Sequence, residues 1–66
     1  MNVTFNGLQE TVHPTNLHDL MVVKGLDCKT GIAVAINNTI VPKSSWKTKT
    51  LEENDRIVVI TATAGG

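Results

Sequence analysis

Val3 and Phe5 alternate with the polar Asn2, Thr4 and Asn6, a period-two pattern that places one side of a strand in an apolar layer. Asn6-Gly7 follows, a dipeptide that tolerates positive φ at a tight turn, and Leu8 to Val12 is long enough for the return strand. His13-Pro14 ends the pairing because proline has no amide proton to give the ladder. Residues 2–12 are therefore predicted to form an antiparallel hairpin. The period then changes: Leu17, Leu20 and Met21 fall at the i, i+3, i+4 spacing of one helical face. Thr15 can accept an N–H bond as the cap, Asp19 suits the positive end of the dipole, and Gly25 can take the left-handed closing conformation after Lys24. The spacing predicts a helix over about residues 16–24.

Gly31-Ile32-Ala33-Val34-Ala35-Ile36 is apolar on both alternating faces, as expected of a strand inside a sheet, and Asn37-Asn38 ends it. Thr39-Ile40-Val41 is a short return that Pro42 confines to an edge. Lys43 to Thr50 is polar apart from Trp46, and Glu52 to Asp55 reads as a turn in which Asn54 can adopt left-handed φ. Arg56 to Thr61 is a strongly β-prone last strand. From about residue 61 the chain has neither helix signal nor charged side chain, and a flexible C-terminal tail over 61–66 is expected. One short helix can cover one face of such a sheet, which predicts a single two-layer α+β domain over residues 1–66.

Size narrows the function. A chain of 66 residues buries only about 60% of its unfolded surface and has little mass to enclose a deep substrate pocket, so binding or carrying is favoured over catalysis. Six basic residues balance six acidic ones, which removes the positive field expected of a protein that binds nucleic acid or anionic lipid. No basic segment with a following apolar run opens the chain, and nothing approaches the ~18 apolar residues of a membrane span. A cytoplasmic protein, monomeric on its own, is expected. Cys28 is the single cysteine, so no internal disulfide forms, and an ordinary loop residue is expected there in place of a reactive thiol. His13 and His18 lack the companions of a closed metal site, and Lys43, Lys47 and Lys49 read as a solvated stretch. Trp46 is expected to pack.

Two further features point to a function. Alternation puts Ile57 and Val59 on one side of the last strand and Val58 and Ile60 on the other. The chain ends Ala64-Gly65-Gly66, and a Gly-Gly end arises by chance at only about 0.5% if glycine occurs near 7%. Two residues without Cβ atoms can thread a narrow channel, and residues 61–66 fully extended reach about 20 Å. The carboxylate of Gly66 is unreactive as an anion and needs a leaving group. The chain holds no phosphate-cradling GxxxxGK[ST] loop, so any activation of that carboxylate would have to come from a partner.

The order strand, strand, helix, strand, short strand, strand with a terminal Gly-Gly resembles the β-grasp fold of ubiquitin and the bacterial sulfur carriers. From Ala33 onward the likeness is more specific: a strand closing on Asn37, Ile40-Val41-Pro42-Lys43, Trp46, Leu51, Asn54-Asp55, Ile57, Thr61 and the terminal glycines. This pattern resembles the thiamine sulfur carrier family, ThiS, which usually has glycine where Asn54 stands here. The resemblance implies that the protein is a cosubstrate and not an enzyme. A ubiquitin-activating-like enzyme would adenylate the Gly66 carboxylate with ATP, and sulfur from a desulfurase persulfide would convert it to a thiocarboxylate, a 1-thioglycine modification. Thiazole synthase would accept the sulfur. Ala64 and Gly65 would enter the partners' active sites, Val58 and Ile60 would form the docking surface, and neither a bound cofactor nor a metal is implied. The small subunit of molybdopterin synthase, a ubiquitin-like protein modifier and a β-grasp interaction domain with an inert tail remain alternatives at this point.

Overall fold

The computed structural model describes residues 1–61; the expected tail, apart from Thr61, lies outside the described residues. Five strands and one helix form among them: β1 (Asn2–Phe5), β2 (Leu8–Thr11), α1 (Leu17–Val23), β3 (Ile32–Ile36), β4 (Thr39–Val41) and β5 (Arg56–Thr61). Thr61, which the sequence places both at the end of the last strand and at the start of the tail, closes β5 opposite Ile32. The sheet order is β2-β1-β5-β3-β4. β1 and β5 run parallel, and the other neighbours are antiparallel. This mixed sheet with a single crossing helix is the β-grasp arrangement. The parallel pair β1 and β5 requires a long crossover, which β2, α1, β3, β4 and the following loop supply.

Local chemistry sets the turns. Asn6 and Gly7 have φ of 50° and 85°, and Asn37 and Asn38 have 51° and 70°, so both hairpins turn through paired left-handed residues. Asparagine tolerates that region better than other residues with a Cβ, and such turns match the twist of the flanking strands. Asn54 also turns with φ of 68°. The helix starts one residue later than its sequence suggests. Asn16, not Thr15, is the cap, its Oδ1 accepting the Asp19 N–H at 2.8 Å. Thr15 is occupied elsewhere: its carbonyl accepts the Leu51 N–H at 2.8 Å, and the adjoining Asn16 bridges Thr50. At the other end Gly25 takes φ of 74°, and the amides of Gly25 and Leu26 bond to the carbonyls of Val22 and Met21. That paired arrangement satisfies carbonyls which the finished helix would leave open.

α1 lays Leu17, Leu20 and Met21 on the sheet face carrying Val3, Phe5, Val34, Ile36 and Ile57, and these side chains form one buried cluster. Trp46 completes it from the loop side. Its indole N–H donates to the Val41 carbonyl at 3.0 Å, so the ring is buried without an orphaned donor. The segment around it, expected as plain loop, contains a short 3-10 turn over Lys43–Ser45. Asp55 is the one buried charged side chain among the described residues. Its carboxylate accepts from Asn37 Nδ2 at 2.9 Å and from the Glu52 N–H at 2.8 Å, while Asn37 Oδ1 accepts the Arg56 N–H at 2.9 Å. This exchange ties the end of β3 to the start of β5. It fixes the register of the strand that carries the candidate site.

Candidate docking face

Among the described residues only one side of the sheet has a helix. Alternation along β5 sends Ile57, fully covered, and the half-buried Val59 toward α1, and sends Arg56, Val58 and Ile60 to the open side. Val58 and Ile60 are 44% and 48% exposed. The antiparallel register sets Ala35 beside Val58 and Ala33 beside Ile60, and Ile40 of β4 lies across Ala35. Ile40 is exposed as well. Two alanines between rows of larger aliphatic side chains leave the middle of this surface recessed. The result is an open concavity of about 510 Å³ whose walls include Val58, Ile60, Ile40 and Arg56 over a floor at Ala35.

The same face changes character toward the other edge. β1 and β2 turn Asn2, Thr4, Gln9 and Thr11 outward in the cross-strand pairs Asn2 with Thr11 and Thr4 with Gln9. Thr11 Oγ1 donates to Asn2 Oδ1 at 2.8 Å, so part of this half meets its polar needs internally. The apolar half has no such contacts to make and remains available for another surface.

The residues singled out from the sequence thus divide by location. Val58 and Ile60 are neighbours on the open face; Gly65, Gly66 and Ala64 lie outside the described residues. Ile40, the two alanines and Arg56 were not anticipated as members of the surface. A signal was present in Ile32-Ala33-Val34-Ala35-Ile36, where large residues alternate with small ones. Such a pattern marks two apolar faces of different depth, not one uniformly buried strand.

Other candidate residues stand apart from this surface. Cys28 is exposed in the loop after α1, its thiol 3.5 Å from Asp27 Oδ2. His13 is exposed, and His18 Nδ1 lies 3.6 Å from Asp19 Oδ1. Lys43, Lys47 and Lys49 are exposed, with Lys43 Nζ 5.8 Å from the Trp46 ring centre. Among the described residues no three His, Cys, Asp or Glu side chains gather where they could hold a metal. No helix there is long and apolar enough to cross a membrane.

Comparison with known proteins adds a family and a fold. The model of the ThiS family matches residues 3–66. The crystal structure of a thiamine biosynthesis protein (ThiS) from Geobacter metallireducens is similar with a TM-score of 0.85 and 22% sequence identity, and the match covers 100% of both chains. An NMR solution structure of a thiamine biosynthesis protein from Geobacter metallireducens has a TM-score of 0.75 at 22% identity, covering 100% of this chain and 88% of that one. At this identity the two structures speak for the fold alone. No curated protein sequence matches the chain.

Proposed function

Since the chain belongs to the ThiS family, we propose that it is a sulfur carrier for the thiazole half of thiamine, acting as a cosubstrate of other enzymes. The observation that carries this reading is the extent of the family match, which runs through the described domain and on to Gly66. The domain provides recognition, and the Ala64-Gly65-Gly66 end provides the reacting carboxyl group.

The chemistry follows from what a carboxylate lacks. Attack of the Gly66 carboxylate on the α-phosphorus of ATP, in the active site of an adenylating partner, releases pyrophosphate and gives an acyl adenylate. AMP is then a competent leaving group. The terminal sulfur of a desulfurase persulfide attacks the acyl carbon and expels AMP, giving an acyl disulfide. A second thiol then attacks the desulfurase sulfur, forms a disulfide with it and so supplies the two electrons that release the chain as a thiocarboxylate. The thiocarboxylate sulfur is a better nucleophile than the oxygen it replaces, and thiazole synthase receives it. The apolar half of the open face, centred on Val58 and Ile60, is the surface that meets the adenylating partner. An aliphatic concavity flanked by polar positions is the kind of patch on which a partner gains affinity by excluding water.

Removal of Gly66 tests the reading. The shortened chain is expected to melt as the full chain does and to accept no sulfur in a reconstituted loading reaction. Normal loading of the shortened chain contradicts the proposal. In the native host, loss of the gene should create a requirement that thiazole satisfies; a requirement met only by molybdopterin would assign the carrier to that pathway instead.

A further inference from the structure

Arg56 is the one charged residue that β5 and its neighbours turn onto the open face among the described residues, and it lines the same concavity as Val58, Ile60 and Ile40. Its backbone is held on both sides by Asn37. The Arg56 N–H donates to Asn37 Oδ1 at 2.9 Å, and its carbonyl accepts the Asn37 N–H at 2.8 Å. Its guanidinium has no such hold among the described residues. Among the described residues Lys24 pairs with Glu10 and His18 lies beside Asp19, and no ion pair or hydrogen bond reaches the Arg56 guanidinium. The adjacent carboxylate, Asp55, is buried on the opposite side of the strand and already accepts from Asn37 and Glu52. The position is fixed, and the charge is open.

That combination constrains whatever docks. A surface that covers Val58 and Ile60 also strips water from a guanidinium in the same concavity. A cation that loses its water without gaining an acceptor opposes the association that apolar contact promotes. The planar fork of arginine is matched best by a carboxylate, which can take two parallel N–H bonds. With six basic and six acidic residues in the chain, net charge does not steer the encounter, so this local charge has the larger part in selecting a partner.

We infer that the partner surface meeting the Val58–Ile60 concavity presents an Asp or Glu side chain that closes on Arg56, making Arg56 a specificity-determining residue for pairing the carrier with its adenylating enzyme. This rests on the docking role proposed above for Val58 and Ile60. A partner with an apolar patch but no acid at that point is rejected because Arg56 is left desolvated and unpaired. The device discriminates among similar folds without touching the reacting carboxyl group.

ATP–pyrophosphate exchange by the adenylating enzyme of the same organism, with the full chain as the varied substrate, separates KM from kcat. Arg56→Gln is expected to raise KM about tenfold and Arg56→Glu at least about 100-fold, with kcat unchanged and Arg56→Lys recovering part of the loss. The KM of the native chain should climb with added NaCl, and that of Arg56→Gln should climb much less. Melting curves of the Arg56 variants should overlay the native one because the side chain is exposed. A native KM and native salt response in Arg56→Gln, or an Arg56→Glu variant no worse than Arg56→Gln, overturns the inference. Val58→Thr/Ile60→Thr measured in parallel separates the two levels. If it loses affinity while the Arg56 variants do not, only the carboxylate pairing fails; if it keeps native affinity, the docking face itself is misplaced and the inference falls with it.

Discussion

Ile57 and Val58 are consecutive, both β-branched and both apolar, yet one is fully covered and the other is 44% exposed. Their intrinsic preferences hardly differ. What differs is what lies across from each: α1 with Leu17, Leu20 and Met21 on one side, and solvent on the other. Burial of a whole aliphatic side chain is worth about 1.5–3 kcal/mol, and Ile57 contributes that to folding. Val58 and Ile60 leave much of the same potential unused within the chain. One strand thus serves two surfaces at once, one stabilising the domain and one leaving apolar area exposed, as the proposed docking role requires.

The sharpest way to break this comparison is to place the same polar change on each side. Ile57→Asn puts an amide without a partner into the cluster and also removes packing. A loss of about 3 kcal/mol or more is expected, enough to unfold much of a domain this small. Val58→Thr/Ile60→Thr should shift stability by no more than about 0.5 kcal/mol, since both positions stay solvated, while abolishing most affinity for the adenylating partner. Thermal melts and binding measured on the same preparations decide it. If the Val58 and Ile60 variants unfold while the Ile57 variant remains folded and fails only to bind, the roles of the two faces are exchanged.

Asp55 provides an intermediate case that sharpens the boundary between the faces. Its carboxylate holds Asn37 and the Glu52 amide, and through Asn37 it sets where β5 begins against β3. Asp55→Ala leaves those donors without their acceptor, at an expected cost of about 1–3 kcal/mol by denaturant titration. A slip of one residue in β5 would exchange its two faces. Amide exchange in Asp55→Ala should therefore speed up at the β3–β5 junction before the rest of the sheet. Uniform protection across the sheet would mean that the Asp55–Asn37 pair does not govern register.

Much of this division was legible in the chain. The change from period two to helical spacing located α1, and Leu17, Leu20 and Met21 are all buried as that spacing requires. Asn6-Gly7, Asn37-Asn38 and Asn54 announced their turns because few residues occupy left-handed φ at low cost. The helix cap was misread by one residue because Thr15 is drawn into backbone bonding with Leu51, a contact between segments far apart in sequence. The burial of Asp55 was not legible in its own turn, since the Glu52 amide meets only part of its need and Asn37, far away in the sequence, meets the rest. The concavity was only half visible. Alternation pairs Val58 with Ile60, and the resemblance to ubiquitin-like proteins is what put that pair on the open side; Ile40 and Arg56 join them through strand order and register, which no single segment encodes. The reacting end rests on sequence, as Ala64, Gly65 and Gly66 lie outside the described residues.

The proposed function gives recognition to the open sheet face and the chemistry to the last carboxyl group. Intact mass spectrometry of the chain purified from its own host during thiamine starvation, followed by fragmentation from the C-terminus, tests that assignment most directly. The account predicts a population in which one oxygen has been replaced by sulfur, with the change confined to Gly66. A chain carrying only the ordinary carboxylate under that demand, or one whose added sulfur maps to Cys28, would contradict it.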